Sequence, residues 1–391
     1  MKILVTTDDA VGPAMAGSGL RAWELARALA GTGHEVRLEA ARGSTPPSAS
    51  EVEVADRVSK DWPDAVIAPP WSLHLSTFTG NHRLIIDGVT PLLAELAAMP
   101  AGRVVRWRRR TAAARLPLVA ARADAVLAAG RAQREWWRQI TRHRPEVPIL
   151  DVPFGVPDDD PPDSVADLAG VPDGWPVVLW WGGVWPWLDL DTLLAARALL
   201  GDAEVSVVVP TAPRPGSSAT WFSADDLDAA AARVGLSAPA VVALDSWVPY
   251  SDRHLVLNRA DVLAVLHHPS EEAELCFRTR ALDGLWSATP LLLTSGGEIS
   301  RLAADRGWGE VVEPNRPEAV ADALNRMLEP QPQQRRRSEL RADRDAWRWS
   351  EVVWPLDHAL PAISTTHREA LRKPMLRATA TLLGLAVGDR P

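Results

Sequence analysis

One pattern constrains this chain more than any other: short apolar runs alternate with longer amphipathic stretches, and the whole pattern occurs twice, before and after a segment that can hold neither. In the first half the runs at 2–7 (KILVTT), 35–40, 65–68 (AVIA), 84–87 (LIID) and 125–128 (AVLA) read as strands, and 20–30 reads as a helix. Strands covered on both faces are near-continuously apolar, and strands alternating with helices give a parallel sheet with helices against it. The segment 156–176 (VPDDDPPDSVADLAGVPDGWP) is dense in Pro and Asp and reads as a linker. After it the runs at 177–181, 205–209, 241–244, 262–266 and 290–294 read as strands, with helices at 191–200 and 281–286.

The expected fold class is therefore α/β, with two doubly wound domains at 1–155 and 177–345, a linker at 156–176, and a tail at 346–391 whose helical segments pack back on the first domain. Open parallel sheets bind ligands outside the carboxyl ends of their strands, so a cleft between the two domains is the expected site.

Composition narrows the function. With 391 residues, 47% of them hydrophobic and 24% charged, the chain is long enough for two cored domains. A net charge of −8 gives no footprint for nucleic acid, which needs a clustered excess of Lys and Arg. Cys276 is the only cysteine, so disulfide scaffolds and Cys-based zinc sites are not expected. The N-terminus runs straight into a strand-like segment without the charged, apolar and small-residue order of a signal peptide, and no window approaches the ~20 apolar residues that cross a bilayer. A cytoplasmic protein is expected, either soluble or peripheral to a membrane.

The segment 180–195 (WWGGVWPWLDLDTLLA) resembles the opening of the donor domain in GT-B glycosyltransferases of family 4, in particular bacterial members with a Gly-Gly-x-Trp-x-Trp-x-Asp segment. The likeness continues through 247–250 (WVPY), 260–267 (ADVLAVLH), 277–290 (FRTRALDGLWSATP) and 307–314 (GWGEVVEP), and in the first half through 131–137 (RAQREWW) and 151–156 (DVPFGV). The resemblance implies two Rossmann-like domains, a nucleotide-diphosphate sugar as co-substrate, no metal or other cofactor, and transfer with retention to a small-molecule or lipid-linked glycan acceptor. It also implies that an acid at the start of a helix, which falls on Asp283, takes the ribose hydroxyls, since a carboxylate accepts two hydrogen bonds from neighbouring hydroxyls. An earlier acid lies near the sugar. Glu271, Glu272 and Glu274 crowd that place, and Glu272 is favoured. The plain alternative is a solvated acidic loop leading into a helix.

Arg278 and Arg280 stand between these acids. A departing diphosphate gains negative charge, so a fixed guanidinium there lowers the barrier. In the family this work falls to an Arg and a Lys on the first donor-domain loop, whose places here hold Gly183 and Leu188. Arg278, Arg280 or both are expected to take it over, helped by backbone N–H groups of Gly182, Gly183, Ser295, Gly296 and Gly297; pairing of the arginines with the neighbouring glutamates is the alternative. Alternating positions along Trp180, Trp181, Trp185 and Trp187 are expected to send one pair into the core and leave the other near the cleft, where flat aromatic faces suit sugar or base stacking, and Trp185 and Trp187 are the candidates for a ligand.

Several further residues complete the reading. His267 ends a strand on the expected cleft edge, and with His268 does not by itself make a metal site. Asp189-Leu190-Asp191 resembles the metal-binding acid pair of the other, single-domain glycosyltransferase fold, but its place at a helix start makes helix capping the better reading. Asp87 lies where an acceptor hydroxyl would come, as a general base in an inverting enzyme or as an orienting group in a retaining one. His34 reads as a turn residue. Gly17 and Gly19 open the first helix, and Arg21 one turn in could touch a phosphate; with Glu39 the same residues also read as a dinucleotide fingerprint, which makes an NAD(P)-dependent oxidoreductase the rival and a non-catalytic sugar-nucleotide-binding protein a third reading. Against the fingerprint, residues 8–16 intervene between strand and glycines. The run RVVRWRRR, from Arg103 at its start to Arg110 at its end, could rest on an anionic membrane or be a solvated helix face.

Overall fold

The computed structural model describes residues 1–213 and 222–365. Among them the chain forms two parallel sheets. In the first lie β1 (Lys2–Thr6), β2 (Glu35–Glu39), β3 (Glu53–Ala55), β4 (Ala65–Ala68), β5 (Arg83–Asp87), β6 (Ala125–Ala128) and β7 (Ile149–Asp151), in the order β3-β2-β1-β4-β5-β6-β7. The second holds β8 (Val177–Trp180), β9 (Ser206–Pro210), β10 (Val241–Leu244), β11 (Val262–Val265), β12 (Leu291–Thr294) and β13 (Gly309–Val312), in the order β10-β9-β8-β11-β12-β13. Each sheet grows outward from its first strand in one direction, then restarts on that strand's other side. Both are therefore doubly wound, with switch points between β1 and β4 and between β8 and β11.

Among the described residues the chain divides into two compact units, 1–12 with 17–153 and 352–365, and 13–16 with 154–351. Every residue of β4, β6, β8, β11 and β12 is buried, as strands covered by helices on both faces must be. One apolar core of the second unit joins Val178, Trp180, Leu193, Val207, Ala264 and Leu324. A core of the first joins Leu4, Val66, Ile86, Leu116, Val126 and Trp137. In that core the Trp137 indole N–H donates to the Gly88 carbonyl at 3.0 Å, and a Cβ at Gly88 would lie 2.2 Å from the same nitrogen, so the close approach requires glycine.

A buried ion pair ties the helix Arg103–Arg122 to β5 and β6. Arg122 Nη1 donates to Asp124 Oδ2 at 2.6 Å, its Nη2 to the His82 carbonyl at 2.7 Å and its Nε to the Phe78 carbonyl at 3.1 Å, while Asp124 accepts the Leu84 N–H at 2.7 Å. The pair thus satisfies backbone groups at a helix end and a strand start that no regular ladder reaches.

The tail contributes the short helices Trp349–Val352 and Trp354–Ala359. Leu356, Leu360 and Ile363 are buried, and Asp357 meets His34 Nε2 at 2.8 Å while the His34 Nδ1 faces the N-terminal amine at 3.2 Å. His34 is thus held in a structural contact in the first unit. The remainder of the expected C-terminal helices, 366–391, lies outside the described residues.

Candidate functional site

The second switch point is bounded by the loop after β8 and the segment after β11. Asp189 N–H donates to the Leu266 carbonyl and His268 N–H to the Trp187 carbonyl, each at 3.0 Å, so the two segments run as one surface at the carboxyl end of the sheet. Gly182 makes the turn out of β8 with φ +85°, a conformation that favours glycine. Asp189 caps the helix Leu190–Leu199 by accepting the Thr192 N–H at 3.0 Å, in agreement with its reading as a cap, and Asp191 is exposed beside Arg233.

Arg280 and Asp283 face this loop from the first turn of the helix Arg280–Ser287. Arg280 Nη2 donates to the Gly183 carbonyl at 2.7 Å, and Asp283 Oδ2 accepts the Trp181 indole N–H at 2.9 Å. Arg253 Nε lies 3.6 Å from the other carboxylate oxygen, its guanidinium held over the rings of Tyr250 at 3.7 Å and Trp286 at 4.3 Å. Burial raises the Asp283 pKa above the ordinary carboxylate range, with the Arg253 charge and the Trp181 hydrogen bond opposing it. Burial lowers the Arg280 pKa to about 10, which leaves it charged at neutral pH. Trp181 and Arg253 are site residues that sequence reasoning missed as partners of Asp283; the aromatic-rich loop signalled the former, and nothing near Arg253 signalled the latter.

A carboxyl group with a raised folded pKa binds its proton more readily folded than unfolded. Its contribution therefore favours the folded state at low pH and is lost as pH rises from the ordinary carboxylate value through the raised one. Asp283→Asn is expected to flatten that part of the stability profile, read as melting temperature against pH from about 4 to 7. An unchanged slope would show that Asp283 is not the group responsible.

Arg278 differs from the sequence expectation. It is 1% exposed, and its two terminal nitrogens donate to protein acceptors: Nη1 to the Thr294 carbonyl and to Ser300 Oγ at 2.7 Å, Nη2 to the Ser295 carbonyl at 3.1 Å. A guanidinium pinned this way organises the turn before the helix Gly297–Arg306 and does not present its fork to a ligand. Within that turn Gly296 and Gly297 have φ +96° and +71°, and the Gly297 N–H donates to Glu274 Oε2 at 3.3 Å. Glu272 is buried below, with Oε2 3.7 Å from His267 Nε2. Burial, followed by the charges of Arg278 and Arg280, holds the His267 pKa well below the usual imidazole range.

Of the aromatic candidates, Trp180 belongs wholly to the core, whereas Trp185 and Trp187 stack on each other, ring centroids 5.4 Å apart and 4° from parallel, and are partly buried. The expectation that one pair would enter the core is therefore corrected: Trp180 alone does so, because it is the last residue of β8, whereas Trp181 turns to Asp283 and Trp185 and Trp187 stack on each other.

In the first unit, Arg21 and Asp87 are brought together. Arg21 Nε lies 2.9 and 2.8 Å from the two Asp87 oxygens, and Nη1 and Nη2 donate to the Pro153 and Val152 carbonyls at 2.9 Å. Arg21 is 3% exposed, so its guanidinium serves this network instead of the phosphate contact expected of it, and Asp87 is engaged by a cation instead of standing as an unengaged base. Gly17 begins the helix Gly17–Gly31, and a Cβ there would meet nothing within 4 Å; Gly19 is buried, and Ser18 donates to Asp9. Glu39 accepts the Val58 N–H at 2.7 Å. The helix Arg103–Arg122 leaves Val104 69% and Trp107 59% exposed among its arginines, and no helix among the described residues is long and apolar enough to cross a membrane.

Two doubly wound Rossmann-like domains in one chain make the fold class plain: it is the GT-B fold, seen in solved glycosyltransferases. Sucrose-phosphate synthase from Thermosynechococcus elongatus matches with TM-score 0.66 at 15% identity, over 93% of this chain and 98% of that one. WaaG, a glycosyltransferase involved in lipopolysaccharide biosynthesis, matches with TM-score 0.64 at 18% identity, over 93% and 99%. HepE from Anabaena in complex with UDP-glucose matches with TM-score 0.65 at 16% identity, over 93% and 100%. No protein-family model and no curated protein matches the sequence.

Proposed function

We propose that this chain is a glycosyltransferase that moves a sugar from a nucleotide-diphosphate donor to an acceptor hydroxyl, with retention and without a catalytic metal, in natural-product or surface-polysaccharide assembly. The observation that carries the reading is the joint approach of Arg280 and Asp283 to the loop after β8 at the switch point, through Gly183 and Trp181. A partly exposed carboxylate suits ribose hydroxyls, and a partly exposed guanidinium beside backbone N–H groups at a helix start suits a departing diphosphate. Solved GT-B structures holding UDP-glucose and UDP-2-fluoro glucose support a nucleotide-sugar donor.

In this reading Arg280 stabilises the leaving group. Arg278 positions the Ser295–Gly296–Gly297 turn, in which the Ser295 N–H donates to the Val312 carbonyl and the Gly297 N–H to Glu274, so that the Gly296 N–H is the one that shares that task. Glu272 and His267, at 1% and 3% exposure, support the sugar side from within instead of touching the sugar, Trp185 flanks the loop formed by Gly182 and Gly183, and the acceptor is a small molecule or lipid-linked glycan taken by the first unit. The Arg21–Asp87 pair orients that side, which suits retention because no general base is then required. The exposed Trp107 and Val104 among arginines favour peripheral contact with an anionic membrane surface over a simple solvated face; sedimentation with anionic vesicles tests this, and failure to co-sediment would remove the membrane from the account.

The test of the function is release of nucleoside diphosphate from UDP-, GDP- and dTDP-sugars by the purified chain, with the product anomer assigned by NMR. Turnover with a retained anomer is expected. Binding of a donor with no turnover under any condition would favour the non-catalytic reading, and binding of NAD(P) alone would favour the oxidoreductase.

A further inference from the structure

Below the arginine-bearing loop three side chains with metal-ligating atoms converge. His267 follows β11, and Glu272 and Cys276 stand four residues apart around the helix Glu271–Leu275, whose end is closed by the Cys276 N–H donating to the Glu272 carbonyl at 2.7 Å. One ligating atom of each lies within 4.8 Å of the other two. His267 and Glu272 are 3% and 1% exposed, whereas Cys276 is partly exposed and marks a way in from solvent. The His267 backbone is fixed by its N–H donating to Thr294 Oγ1 at 3.0 Å, and its Nδ1 has no hydrogen-bond partner among the described residues.

We propose that His267, Glu272 and Cys276 form a binding site for a divalent cation of the zinc class. Zinc takes nitrogen, oxygen and sulfur ligands tetrahedrally at about 2.0–2.3 Å, which sets neighbouring ligand atoms about 3.3–3.8 Å apart. The His267–Glu272 edge, at 3.7 Å, already has that length. The thiolate must close by at most about 1.5 Å, within reach of a side-chain rotation. Imidazole and thiolate select zinc over magnesium or calcium, and a carboxylate with a thiolate offsets the ion's two charges despite the nearby arginines. Three protein ligands leave the fourth position open.

An ion held here fixes the Glu272 carboxylate beneath the donor site and so competes indirectly with donor binding. That consequence rests on the proposed function; the binding site does not. Titration of the metal-free full-length chain with Zn²⁺ is expected to show one equivalent bound, with millimolar Mg²⁺ not competing, and Co²⁺ in its place is expected to give a thiolate-to-cobalt absorption band. Cys276→Ser and His267→Gln are expected to weaken Zn²⁺ binding by about 10-fold or more, and Cys276→Ser to abolish the band while melting like the parent chain without metal. Absence of stoichiometric Zn²⁺ binding, or equal binding by the Cys276→Ser chain, would overturn the site. Zinc binding in a chain without transfer activity would leave the site standing and remove the proposed function; full turnover at saturating zinc would remove only the competition.

Discussion

Arg280→Ala is expected to lower kcat for sugar transfer by about 10²–10³, the cost of removing one fixed donor from a developing negative charge. The argument is geometric. Arg280 is partly exposed and makes one described hydrogen bond, to the Gly183 carbonyl at 2.7 Å, on the loop where the GT-B fold has its switch point. Its burial-lowered pKa of about 10 keeps the charge through neutral pH. The melting temperature is expected to change less than in Arg278→Ala, because the described hydrogen bond lost is the single one to the Gly183 carbonyl. Arg278→Ala provides the contrast. Arg278 is buried at 1% exposure with its terminal nitrogens on Thr294, Ser295 and Ser300, and its replacement is expected to lower stability and activity together. Steady-state kinetics and thermal melts on both variants separate the roles. Equal loss of stability in the two would remove the assignment of Arg280 to the leaving group.

The largest effect on folding is expected at Arg122. Its side chain is 3% exposed, that of Asp124 is fully buried, and Arg122→Ala leaves the carboxylate in the interior without its cation. Breaking a buried pair from one side costs about 3–5 kcal/mol, and three carbonyl contacts of the same guanidinium are lost with it. Denaturant unfolding is expected to show that loss, or no folded protein at all. The double replacement Arg122→Met with Asp124→Leu is expected to recover part of it, since an apolar pair removes the uncompensated charge. A loss below about 1 kcal/mol in the single variant, within the range of an exposed pair, would contradict the burial assigned here.

Strands buried on both faces were legible as unbroken apolar runs, and β4, β6, β8, β11 and β12 are of that kind. β3 and β7 were not, because an edge strand of three residues such as EVA or ILD carries too little pattern to separate it from a loop. The fourth residue of β13, GEVV, is its only buried one, which hides it for the same reason. At the site the chemistry-bearing residue types were visible, but their orientation was not. Arg278 and Arg280, two apart, diverge because the helix begins between them: one guanidinium turns into the interior and the other toward the loop. Likewise Arg21 and Asp87 are 66 residues apart, and only the sheet brings them into a pair. Long-range pairing of this kind depends on topology and leaves no local signal.

The central claim is that a nucleoside diphosphate binds at the β8–β11 switch point through Asp283 and Arg280. Calorimetric titration of the parent chain and of Asp283→Ala with UDP, GDP, dTDP and NAD(P) tests it most directly. One nucleoside diphosphate is expected to bind the parent chain, and to bind the variant about 10- to 100-fold more weakly, the loss that follows when hydrogen bonds to a charged group are removed. Equal affinity in the two chains, or binding of NAD(P) and of no nucleoside diphosphate, would contradict it.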